Sequence, residues 1–197
     1  MTVAPQRRPV RMHERLYTAA DLAAMPSEVP SGTVLHELDN GRLVSLPPHD
    51  ERHAAVLSEI AAALHRQGAE LGLGRARCGG SGLVLWRNPD RVVGVDAAFI
   101  ANASLPIRRS PEGYLETMPD IVVEVVSKND TPAYIQRKVE DYLTAGVKVV
   151  WVADPRRRTI TIHRPSTAPA ILREGDTLTA GEIIPGFQLA VADAFRE

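Results

Sequence analysis

The sequence predicts an α/β fold: a mixed central sheet flanked by helices, with β-hairpins toward both ends of the chain. Three observations carry this. Ile121–Val126 is β-branched at nearly every position, the mark of a strand buried on both faces. Val147–Val152 is a second such run. Between them Thr131-Pro132 opens a helix and Gly146 stops it, proline at the first helical position and glycine just past the last. Strand, helix and strand in this order form a crossover that joins two parallel strands.

The other elements follow from local signals. Thr18 and Asp21 have capping-box spacing, and the short helix they open ends before Pro26. Thr33–Leu46 reads as a hairpin around Asn40-Gly41, a tight-turn pair, and Pro47-Pro48 ends it. From about Asp50 to Gln67 the positions His53, Val56, Leu57, Ile60, Ala61 and Leu64 follow the helical period. Leu71–Gly82 is glycine-rich and reads as a loop around a short strand at Arg75–Cys78. Leu83–Trp86 and Val92–Ile100 read as strands on either side of the turn Asn88-Pro89-Asp90. Ala101–Met118 is a long polar connection. After Asp154-Pro155, Thr159–His163 starts a second hairpin, and Ile171–Phe195 reads as short strands with turns at Gly175-Asp176 and Pro185-Gly186.

Size and composition bound the function. The chain has 197 residues, enough for one domain with its own core and short for two. Residues 1–15 read as a flexible tail and 16–197 as a single domain. Arg7, Arg8 and Arg11 are followed by no apolar stretch, so a secretory signal is not expected. No apolar run approaches the roughly 18 residues of a membrane span. The single cysteine, Cys78, excludes an internal disulfide and suits a reducing cytoplasm. No motif supplies it with a histidine base, which argues against a nucleophile. A net charge of −1 excludes a strongly basic nucleic-acid binder. Local basic pairs remain at Arg75/Arg77, Arg108/Arg109, Arg137/Lys138 and Arg156–Arg158, enough for a phosphate-facing groove or simply for solvated faces.

Two acids interrupt apolar strands. Glu124 sits in the middle of Ile121–Val126, and Asp96 within Val92–Ile100. Carboxylates are rarely buried unless paired or bound to a metal. For Glu124 the competing explanation is a salt bridge to an arginine. Two such acids on neighbouring strands repel each other, and a hard divalent cation relieves that repulsion. Asp120 shares a face with Glu124, but four residues of strand put their Cα atoms about 13 Å apart, too far to share an ion. It reads as a strand-entry residue. Lys138 lies at the edge of the apolar helix face made by Tyr134, Ile135, Val139, Tyr142 and Leu143. It either snorkels or sends its ammonium over the strand ends. Glu37 is on the first hairpin, where an exposed ribbon face is the plain alternative. His53 opens the long helix, where a structural or exposed role is the plain reading.

Taken together, these residues resemble a known family. Pro119-Asp120-Ile121-Val122-Val123-Glu124-Val125-Val126-Ser127, then Asp130, Lys138, Tyr142, Gly146 and Trp151, is similar to the Uma-type restriction endonucleases. So are Glu37-Leu38, Gly41, Pro47-Pro48, His53, Asp96 and Phe99 upstream, and Asp154-Pro155 and Ile184-Pro185-Gly186-Phe187 downstream. The resemblance spans about Thr18 to Phe195. It implies a restriction-endonuclease-like PD-(D/E)XK fold and a Mg²⁺-dependent endonuclease, with Mn²⁺ as a substitute, acting on DNA. Carried over by position, Asp96 and Glu124 are the metal-binding acids and Glu37 completes the metal shell. The lysine usual two residues after the second acid would fall at Val126, so Lys138 takes that role, making Asp96, Glu124 and Lys138 the catalytic set. Val95 stands where the family has proline. A homodimer is a further expectation from the resemblance. The alternative is a catalytically inactive nuclease fold that binds nucleic acid or a protein partner.

Overall fold

The structure is a computed structural model that describes residues 15–26, 28–29 and 32–196. Apart from Arg15, the segment read as a tail lies outside the described residues. Helix α1 (Ala19–Ala23) opens on the expected capping box, Thr18 accepting from the Asp21 amide and Asp21 from the Thr18 amide. Strands β1 (Glu28–Val29) and β2 (Gly32–Thr33) form a small ribbon. Strands β3 (Leu35–Asp39) and β4 (Arg42–Leu46) form the expected hairpin, with Asn40 and Gly41 both at positive φ as a tight turn requires. Helix α2 (Glu51–Leu64) is capped by Asp50 and runs into a π-helical turn at His65–Ala69.

The glycine-rich stretch corrects the sequence reading. It is no loop: β5 (Gly74–Trp86) is one strand of 13 residues, paired along β6 (Arg91–Ala101). Gly79 and Gly80, at φ of 91° and 70°, absorb a bulge where the register shifts between Cys78 and Ser81. Glycine here bends a strand without ending it.

Strand β7 (Ile121–Val125), helix α3 (Pro132–Ala145) and strand β8 (Val149–Asp154) are the expected crossover, and β7 and β8 are parallel. Thr131 caps α3, and Gly146 ends it at φ 104°. Strand β9 (Thr159–His163) pairs with β10 (Ala170–Leu172), and β11 (Thr177–Thr179) with β12 (Gln188–Ala190), which leads into α4 (Val191–Ala194). The main sheet has eight strands in the order β10-β9-β8-β7-β6-β3-β4, with β5 on the far side of β6. The β7·β8 pair is parallel and every other pair in the described sheet is antiparallel, so the sheet is mixed but mostly antiparallel.

The sheet is covered on both faces. Val56, Ile60, Ala63 and Leu64 of α2 pack on Ala97, Phe99, Val123, Val125 and Trp151. Val139 and Tyr142 of α3 pack on Val93, Val95, Ala98, Ile100, Val122, Val150 and Val152. Along β7 the faces alternate, which sends Glu124 to the α3 side with Val122. Along β6 the alternation slips: Val93 and Val95 share the α3 side with Ala98 and Ile100. The slip falls at Asp96, opposite the glycine bulge.

One edge of β6 is shared. Strand β7 pairs with Ala97–Phe99, and β3 pairs at Val92. Between these contacts residues 93–96 have no ladder partner on that edge among the described residues. The candidate site occupies this fork.

Candidate active site

The fork leaves backbone groups to be satisfied by side chains. The Gly94 amide donates to Glu37 Oε1 at 3.0 Å, and the Gly94 carbonyl accepts from Lys138 Nζ at 3.1 Å. The Val125 amide donates to Asp96 Oδ2 at 2.8 Å. Acids from β3 and β6 and the lysine from α3 therefore replace the missing rungs.

Glu37, Glu124 and Lys138 meet directly. Lys138 Nζ lies 2.7 Å from Glu124 Oε2 and 3.5 Å from Glu37 Oε1. The Tyr142 hydroxyl donates to Glu124 Oε1 at 2.5 Å, and the Tyr134 hydroxyl to Glu37 Oε2 at 2.9 Å. Arg91 Nη1 stands 3.8 Å from Glu37 Oε2, while its Nε bonds Asp141 at 2.8 Å. Glu37 and Glu124 are each 3% exposed and Lys138 5%. The exposed-ribbon alternative for Glu37 therefore does not hold: Tyr134 and Lys138 of α3 reach over its carboxylate. Among the described residues Glu124 does not pair with an arginine either; its partner is Lys138. The supposed basic pair Arg137/Lys138 divides, Arg137 turning outward to Asp39 at 2.8 Å while Lys138 is buried.

Asp96 stands beside this trio and makes no hydrogen bond to it among the described residues. Its Oδ2 takes the Val125 amide and His53 Nε2, the latter at 3.1 Å. Its Oδ1 lies 3.7 Å from His49 Nε2, and no hydrogen bond from a described residue reaches it. His53 is 1% exposed and stacks on His49 with ring centroids 3.8 Å apart. Asp120 is elsewhere: it accepts from the Ala101 amide, Ser104 and Lys148, as a strand-entry residue would.

The electrostatics follow from burial. Desolvation pushes Glu124 up to about 8 against the attraction of Lys138, and the nearby Asp96 charge pushes the same way. Burial alone would lower Lys138, but the charges of Glu124 and Glu37 hold it well above its ordinary value, so it stays an ammonium. Burial works to raise Asp96 as well, yet the His53 hydrogen bond, the Lys138 charge and the Val125 amide keep it below the usual carboxylate range. Burial, then the His53 charge, lowers His49. Groups pushed apart in this way are the usual furniture of acid–base sites.

The donor set fits a hard divalent cation. Glu124 resists ionisation under burial and the nearby Asp96 charge, and an ion bound by oxygen would relieve that. Sequence reasoning missed His49, Arg91 and the two tyrosine hydroxyls as members of the site. The four-residue spacing of His49 and His53 across the helix cap Asp50 was the available signal. Nothing in the sequence marked Arg91.

A model of the Uma2 family, described as "Putative restriction endonuclease", matches residues 20–192. The chain is also similar in structure to a protein solved by crystallography and described as a "putative nuclease belonging to DUF820" from Anabaena variabilis. The TM-score is 0.72 at 17% identity, over 90% of this chain and 97% of that one. At that identity the likeness speaks for the fold. No curated protein matches the sequence.

Proposed function

The chain belongs to the Uma2 family, and we propose that it is a Mg²⁺-dependent endonuclease, with Mn²⁺ as a substitute, that hydrolyses DNA phosphodiester bonds. The reading takes residues 16–197 as a single catalytic domain, working in the cytoplasm as a homodimer. Among the described residues no helix is long and apolar enough to cross a membrane. The observation that carries the reading is the buried cluster at the fork, Lys138 held 2.7 Å from Glu124 with Glu37 and Asp96 beside it.

In this reading Asp96, Glu124 and Glu37 hold the ion. When bound, Mg²⁺ polarises a phosphoryl oxygen and lowers the pKa of coordinated water. Lys138 cannot ligate it, having donors only. Its ammonium instead orients a water or offsets the charge that grows on the phosphoryl oxygens. Tyr142 and Tyr134 fix the orientation of Glu124 and Glu37 through single hydrogen bonds. Burial keeps bulk water from screening the charges, which enlarges every electrostatic effect inside.

One observation favours a second reading. Glu124 and Lys138 already satisfy each other, as an inactive nuclease fold that only binds nucleic acid or a protein would need. Plasmid incubated with the protein in Mg²⁺, in Mn²⁺ and in EDTA decides between them. Nicking with either metal, abolished by EDTA and by Glu124→Gln, is the expected result. Intact plasmid in every arm would sink the enzyme reading.

A further inference from the structure

Asp96 faces two imidazoles. A ring nitrogen of His49, a ring nitrogen of His53 and an Asp96 oxygen all lie within 4.8 Å of one another. The rings are stacked nearly parallel, 7° apart, so both Nε2 atoms present to the same carboxylate. The observed separations are 3.1 Å for His53 to Oδ2 and 3.7 Å for His49 to Oδ1. Two ligands about 2.0–2.2 Å from one ion, at a tetrahedral angle, stand roughly 3.3–3.6 Å apart. Small adjustments bring all three donors to one point.

We propose that His49, His53 and Asp96 form a second divalent-cation site, next to the carboxylate cluster and selective for ions that favour imidazole, such as Zn²⁺ or Co²⁺, over Mg²⁺. Two nitrogens and one oxygen are a borderline donor set, whereas the Glu37/Glu124 side offers only oxygen. Asp96 is the one residue the two sets share. The fold already holds two of the ligands in place: His53 sits in the first turn of α2, locked by the Asp50 cap, and Asp96 is fixed by the Val125 amide. His49 lies just before the helix with its side chain 36% exposed. The site is therefore open on one side, with room for water or a substrate oxygen in the remaining position, as in catalytic rather than structural sites. On binding, each ring ligates through Nε2 and carries its proton on Nδ1. The inference does not rest on the nuclease reading, with which it shares only Asp96.

The test uses the full chain without DNA. Co²⁺ is titrated and followed by its visible d–d absorption, then challenged with Zn²⁺ and with a large excess of Mg²⁺. One Co²⁺ per chain should bind, Zn²⁺ should displace it, and Mg²⁺ should not. His49→Ala, at a partly exposed position, should weaken Co²⁺ binding about tenfold or more, since even outer-shell partners of a ligand are worth that much. Glu124→Gln should keep it. His53→Ala should behave as His49→Ala, with circular dichroism to check folding; should it fail to fold, His49→Ala still decides. Absence of Co²⁺ binding, or binding retained in His49→Ala and lost in Glu124→Gln, would overturn the proposal. Plasmid nicking in Mg²⁺ without Co²⁺ binding would defeat this site and leave the nuclease reading intact. Co²⁺ binding without nicking under any metal would do the reverse.

Discussion

Glu124→Gln separates a catalytic cluster from a structural ion pair. Glutamine keeps the volume and an acceptor for Tyr142, and removes the ability to carry charge. Burial raises Glu124 to about 8 in the metal-free protein, so near neutral pH its neutral form is favoured. The substitution then takes away little charge. Lys138 keeps Glu37 at 3.5 Å and the Gly94 carbonyl at 3.1 Å. The loss at pH 7 should be about 1 kcal/mol, the scale of one altered hydrogen bond. Breaking a charged buried pair would cost about 3–5 kcal/mol instead.

The pH dependence has a definite sign. The folded value near 8 stands above the ordinary 4.5, so between these limits the folded protein holds more protons than the unfolded chain. Wild-type stability should fall as pH rises through that window, and Glu124→Gln should flatten the fall. Mg²⁺ at a hundred times its Kd should add about 2.7 kcal/mol to the wild type, and much less to the variant. Urea unfolding at pH 5, 7 and 9, with and without Mg²⁺, measures all of this. A loss of about 3–5 kcal/mol at pH 7 together with no Mg²⁺ effect on the wild type would make Glu124 a scaffold residue.

Three further outcomes are expected. Lys138→Met should cut single-turnover cleavage by about 10²-fold or more, and should destabilise the metal-free protein more at pH 9 than at pH 7, because Glu124, raised to about 8, can turn neutral at the lower pH when its cation is gone. Wild-type cleavage rates in the folded variant would return Lys138 to a packing role. Tyr142→Phe removes the donor at 2.5 Å from Glu124; since that bond favours the carboxylate, the variant's Mg²⁺ affinity at pH 7 should drop, and calorimetry showing unchanged affinity would refute the link. Asp120→Asn should destabilise by about 1–3 kcal/mol through its bonds to Ala101, Ser104 and Lys148. Its cleavage rate, measured on folded protein, should stay at the wild-type level, and a large loss would refute its purely structural role.

The crossover was legible because its signals are local. Buried strands of β-branched residues, proline at the helix start and glycine at its end all read directly, and β7, α3 and β8 lie where those signals put them. The polar interruptions at Glu124 and Asp96 were equally plain, since an acid in an apolar run contradicts its own neighbourhood. Strand β5 was misread because Gly79 and Gly80 break a strand pattern, while only a partner strand decides whether they end it or bulge it. Glu37 could be named from resemblance but not from its hairpin, because its burial depends on α3, nearly a hundred residues later in the chain. Arg91 was invisible for the same reason: its meaning lies in the groups it faces, which one sequence does not list. His49 left only its four-residue spacing from His53 as a signal.

The fork in the sheet explains why so much charge can be buried in one place. Where β3 and β7 part along β6, backbone groups at Gly94 and Val125 need partners that no strand supplies. A polar side chain entering there is met by a fixed amide or carbonyl instead of by hydrocarbon, which lowers the cost of taking its charge out of water. That makes the cluster tolerable without making it a source of stability. Well-packed apolar side chains of similar volume commonly serve a fold as well as a buried ion pair does, or better. Here Glu124 is driven toward its neutral form, Asp96 is held ionised next to it, and one ammonium is shared between two acids. A scaffold gains nothing from keeping two neighbouring carboxylates in opposite protonation states. A site that must accept a cation and move protons does, and this is the physical reason to look for chemistry at the fork.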